Sequence, residues 1–102
     1  MSEATVALQL LRHHGFGGRK IFGEHGTVVV LHYRRTWNSI SDVVLVYGEY
    51  DAEGYRADDT VDDYAPLALA SHPGLHAEVV GTVTEVVAVV LAWPEPRHHF
   101  RP

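Results

Sequence analysis

Apolar and polar positions along this chain recur with two different periods, and the change from one period to the other marks its elements. Near the N-terminus Ala4, Ala7, Leu8 and Leu11, with Leu10 beside them, fall at helical spacing. Ser2 suits the cap of that helix and Glu3 its opening turn. Arg12, His13 and His14 suit its last turn, and Gly15 suits the left-handed residue that ends it. From there the pattern becomes β-like. Residues 19–23 and the β-branched run 27–33 flank Glu24-His25-Gly26 and predict a first hairpin. Asn38-Ser39 predicts a two-residue turn into a Val-rich strand over residues 42–47.

Counting outward from that turn sets Trp37 opposite Ile40, Arg35 opposite Asp42, Tyr33 opposite Val44 and Leu31 opposite Val46. One face then carries Val29, Leu31, Tyr33, Val44 and Val46, and the other carries Val28, Val30, His32, Val43, Leu45 and Tyr47. Both faces are apolar, so both need cover, either from helices and a long loop or from a second copy of the chain.

Asp51-Ala52-Glu53-Gly54 carries a turn signal, which predicts a short returning strand at Tyr55-Arg56-Ala57 against residues 48–50. Residues 58–74 read as a long loop with at most one helical turn over 66–70, and residues 76–80 fit a last strand. Thr82, with Glu85 three residues on, matches a capping box. Val83, Val86, Val87, Val90 and Trp93 then share one side of a helix, with Thr84, Glu85, Ala88 and Ala92 on the other. The valines there favour a strand by propensity, yet alternation fails and the cap is specific, which predicts a helix ended by Pro94. The expected fold is α+β: an antiparallel sheet of four to five strands with an N-terminal and a C-terminal helix, one domain over residues 1–94 and a loose tail over 95–102.

Composition narrows what such a domain does. A chain of 102 residues suits one core, small enough that a partner subunit would add to its stability. The chain has no cysteine, which excludes disulfides, zinc–thiolate sites and thiol nucleophiles. No basic patch with an apolar stretch opens it, and its longest apolar run, residues 86–93, is far below the ~20 residues of a membrane span. These features predict a cytoplasmic protein. The net charge of -5 is uneven, because residues 36–63 hold eight acids against Arg56 alone, whereas residues 1–35 are basic. Such a chain lacks the concentrated basic stripe that binds a phosphate backbone.

Candidate chemistry is sparse. The pairs His13-His14 and His98-His99 point apart, and Pro73-Gly74 separates His72 from His76, so no metal site and no cofactor are expected. His32, mid-strand among valines, reads as a hydrogen-bonded core or interface residue and, at a dimer contact, as a pH-sensitive one. Gly15-Phe16-Gly17-Gly18 follows a helix C-terminus, so it is a cap and connector and not a phosphate cradle. Asp58, Asp59, Asp62 and Asp63 lack the ligand spacing of a calcium loop and read as a solvated acidic segment suited to a basic partner. No Gly-x-Ser-x-Gly elbow occurs, and no catalytic residue is assigned. Trp37, Tyr47, Tyr50, Tyr55 and Arg56 cluster on or near the central strands and are candidates for partner contact or for the core.

Arg35-Thr36-Trp37-Asn38, the run 42–46, the segment 49–56 and Gly81-Thr82-Val83-Thr84-Glu85-Val86-Val87 with Trp93-Pro94 together resemble small proteins of high-GC bacteria to which no function is attached. The resemblance implies an intracellular bacterial protein whose last segment is helical. The residues themselves point first to a non-enzymatic regulatory or adaptor protein that binds protein as a homodimer. The alternatives are a ligand-binding protein or small enzyme with a pocket using His32, Tyr47 or Arg56, and a DNA-linked regulator using the basic N-terminal segment.

Overall fold

In the computed structural model, which describes residues 2–60 and 73–96, helix α1 (Glu3–His13) starts at Ser2, whose Oγ accepts the Thr5 amide at 3.1 Å. It ends where Gly15 adopts φ +90°, a left-handed turn that glycine makes without a Cβ penalty. Five strands follow: β1 (Gly17–Phe22), β2 (Val28–Trp37), β3 (Ile40–Gly48), β4 (Asp51–Asp58) and β5 (Leu75–Gly81). They form one antiparallel sheet in the order β1-β2-β3-β4-β5. Helix α2 (Val83–Ala92) closes the chain's regular structure with the expected capping box, Thr82 Oγ1 taking the Glu85 amide and Glu85 reaching back to the Thr82 amide.

The β2–β3 hairpin turns at Asn38, whose φ of 51° suits a tight two-residue loop, and its register is the one counted from the sequence. The next turn differs from expectation. Gly48 pairs with Asp51, so Glu49 and Tyr50 form the turn, and Asp51 to Gly54 belong to a β4 that runs the length of β3. Gly54 is in the strand because helix α2 needs the space: a Cβ there would lie 2.6 Å from Val90 Cγ2 and 3.0 Å from Val86 Cγ1. A glycine that reads as a turn signal is instead the point of closest helix–sheet approach. The helical turn expected at 66–70 lies outside the described residues.

Both helices pack on one face of the sheet and run parallel, with their C-termini at the β2–β3 turn and their N-termini at the β3–β4 turn, where the Val83 amide bonds the Glu49 carbonyl at 3.0 Å. Val86, Val87 and Val90 of α2 and Leu11 of α1 meet Tyr33, Val44 and Val46 there, all buried. On the opposite face Val43, Leu45, Tyr55 and Ala57 form a second cluster with exposures of 3% or less. The central strands are therefore buried on both faces within a single chain, and the sheet needs no second copy to cover them. None of the described helices is long and apolar enough to cross a membrane.

Candidate functional site

Strand register brings three charged side chains into one lateral row on the helix-covered face: Arg35 on β2, Asp42 on β3 and Arg56 on β4. Asp42 is fully buried and accepts four hydrogen bonds. Arg56 Nε reaches Oδ1 at 2.6 Å, while Arg56 Nη2, Arg35 Nη2 and Trp37 Nε1 each reach Oδ2 at 3.0 Å. Burial alone would raise the Asp42 pKa, but the bonds from Arg56, Trp37 and Arg35 outweigh it and hold the carboxyl below its usual value. One further donor of each guanidinium reaches a helix end: Arg35 Nη1 the His14 carbonyl at 3.3 Å, and Arg56 Nη1 the Pro94 carbonyl at 2.6 Å. Two cations against one anion leave a positive excess just where two helix C-termini place their negative dipole ends.

Aromatic rings complete the enclosure. The Arg35 guanidinium lies 4.6 Å from the ring centroids of both Phe16 and Trp37, and that of Arg56 lies 5.6 Å from Trp93. With its carboxylate saturated and its cations stacked, this row has no group free for acid–base or nucleophilic chemistry. It fastens both helix ends to the sheet.

The residues singled out for partner contact separate accordingly. Trp37 and Arg56 belong to this row, and Tyr55 is buried on the opposite face. Asp58 and Asp59 lie near the same end as Asp42, where Asp58 is held low by hydrogen bonds from Thr60 and by the neighbouring His76. Tyr47 and Tyr50 are exposed at the other end. Asp62 and Asp63, like His72, His98 and His99, lie outside the described residues. His32 is buried on the face away from the helices, while Arg56 faces them, so His32, Tyr47 and Arg56 do not converge on a pocket between sheet and helices. The basic residues of the N-terminal segment disperse too: Arg35 is in the buried row, Arg34 and Arg19 are on the far face, and Lys20 is on edge strand β1. Among the described residues no three His, Cys, Asp or Glu side chains gather as metal ligands would.

Two surfaces were not anticipated. The first is a groove of about 340 Å³ between α1 and α2 on the side away from the sheet, lined by Val6, Ala7 and Leu10 facing Thr84, Ala88 and Leu91. Val6 and Leu10 are each 44% exposed there. Their i, i+4 spacing beside the buried Ala7 and Leu11 widened the apolar stripe of α1 beyond what one sheet can cover, a signal present in the sequence. The second is at the helix N-terminal end, where a groove of about 320 Å³ opens between α1 and the start of β2, lined by Leu8, Val28, Val29, Tyr47 and Glu49. No family model, no curated protein and no solved structure matches the chain.

Proposed function

We propose that the protein is a non-enzymatic adaptor or regulatory domain that acts by binding protein and associates reversibly with a second copy of itself. The observation that carries this reading is the apolar groove between α1 and α2, where Val6 and Leu10 face solvent. A second copy fits it electrostatically. With the two-fold axis perpendicular to the parallel α1 and α2, each helix meets its counterpart antiparallel, which opposes the dipoles and brings Glu3 at one helix start toward Arg12 and His13 at the other helix end. The helices have 11 and 10 residues, so the face is ~16 Å long at 1.5 Å per residue. Two helices side by side are ~20 Å wide, so the face covers ~320 Å², well short of the ~800 Å² per partner of a standard stable interface, which favours a weak, concentration-dependent dimer.

Sedimentation equilibrium over a wide concentration range tests this. The wild type is expected to dimerise at high concentration, and a Val6→Glu, Leu10→Glu variant to remain monomeric with unchanged circular dichroism. A wild type that stays monomeric throughout would refute self-association through this seam.

A further inference from the structure

The hairpin end of the molecule exposes apolar side chains that the fold leaves unused. Phe22 is 58% exposed, Val28 41%, Val29 48%, Tyr47 42%, Tyr50 79% and Val80 71%. These are neighbours. Phe22 pairs with Val28 across β1–β2, Val28, Val29 and Tyr47 line one groove, Tyr47 donates a 2.7 Å hydrogen bond to Glu53, and Glu53 pairs with Val80 across β4–β5. Isolated exposed apolar residues need no explanation, but Val28, Val29 and Tyr47 around one groove, with Phe22, Tyr50 and Val80 at the same end of the sheet, mark a contact surface.

This end of the sheet is acidic. Glu49 lines the groove, Asp51 and Glu53 follow on β4 with Glu53 on the face away from the helices, Glu24 is in the β1–β2 turn, and Glu85 stands in the first turn of α2, whose N-terminus points here. Burial raises the Tyr47 hydroxyl pKa first, and the hydrogen bond and charge of Glu53 with the charge of Asp51 raise it further. Among the described residues the Lys and Arg side chains nearest this end, Arg19 and Lys20, are on edge strand β1.

We infer that this acidic, apolar end is a docking surface for a cationic segment of a partner protein, one in which Lys or Arg alternates with apolar side chains. The charge excludes other occupants. A second copy joined by a two-fold contact would set the same carboxylates against each other, and an anionic membrane or a nucleic acid would be repelled. The groove accepts the apolar side chains and the rim carboxylates pair with the flanking cations, which gives orientation as well as attraction. This surface is distinct from the seam between α1 and α2, so a protein that proves monomeric still leaves it intact.

The probe is a fluorescent peptide of alternating Lys and Leu, titrated into the full chain by anisotropy, with an alternating Glu and Leu peptide, anionic vesicles and duplex DNA as parallel arms. Saturable binding of the cationic peptide is expected, with none in the other arms. A Glu49→Gln, Asp51→Asn, Glu53→Gln variant is expected to weaken binding at least tenfold. Val28→Ser with Val29→Ser, which leaves every charge in place, is expected to weaken it at least fivefold. Asp58→Asn with Asp59→Asn, at the opposite end, is expected to leave it within twofold. Thermal melts of all three variants check that the fold persists, and Tyr50→Ala in the exposed turn repeats the apolar test if the valine pair melts early. No binding, equal loss in the Asp58, Asp59 variant, or tighter binding to vesicles or DNA would each overturn the inference.

Discussion

The two ends of this sheet invert each other's chemistry. At the β2–β3 end the polar groups are inside: Arg35, Asp42 and Arg56 are enclosed by Phe16, Trp37 and Trp93 and tied to the carbonyls of His14 and Pro94. At the β3–β4 end the apolar groups are outside: Phe22, Val28, Val29, Tyr47, Tyr50 and Val80 face solvent among carboxylates. A buried ion network adds little over an apolar core of the same volume, but it fixes geometry, because each partner is expensive to strand. An exposed apolar rim adds little to folding and leaves a surface open to contact. The contrast assigns stability and orientation of the helices to one end and, under the docking proposal, recognition to the other.

The sharpest way to break this division is to remove Asp42. Asp42→Ala leaves the buried Arg56 and the half-buried Arg35 without their anion and is expected to cost about 3–5 kcal/mol, measured by urea melts. Arg56→Ala is expected to exceed Arg35→Ala, because Arg56 holds the carboxylate through two bonds and Arg35 through one, with the Arg35 Nε buried and unbonded. Acid probes the same end by a different route. The folded pKa of Asp42 is depressed, so its contribution is fully present above the unfolded value of ~3.9 and is lost as pH falls through the folded value. Urea midpoints are expected to drop on acidification below about pH 4, and Asp42→Asn is expected to flatten that part of the profile.

Between the two ends, Gly54→Ala places a methyl against Val90 and Val86 and is expected to cost about 1–3 kcal/mol by overpacking, without altering peptide binding. Thr82→Ala removes one half of the capping box at the recognition end and is expected to cost about 1 kcal/mol in a thermal melt. The smallest effect on stability belongs to Tyr50→Ala, within ~0.5 kcal/mol, because Tyr50 is a solvent-facing turn residue. The same substitution is expected to weaken the cationic peptide. A large stability loss there would erase the distinction between the ends.

Local signals in the sequence carried much of this fold. Ser2, Gly15, Thr82 with Glu85, and Asn38 are capping and turn residues whose backbone demands are met within a few positions, so both helix starts and the central register were legible. The pairing of Arg35 with Asp42 followed from that register. The third member, Arg56, did not, because Gly54 signalled a turn and shortened β4, whereas its real cause is the approach of Val86 and Val90 from a helix thirty residues away. Long-range packing of this kind leaves no periodic trace. The two exposed grooves were hidden for a related reason: Leu10 and Val29 have the same pattern as core residues, and only the layer order decides which of them the fold leaves uncovered.

The most direct test of the division is an amide chemical-shift map of the full chain titrated with the alternating Lys and Leu peptide. The account predicts perturbations centred on Phe22, Val28, Val29, Tyr47, Glu53 and Val80, with the amides around Asp42 and Arg56 unmoved. Perturbations centred on the Asp42 row, or on α1 and α2 alone, would contradict it.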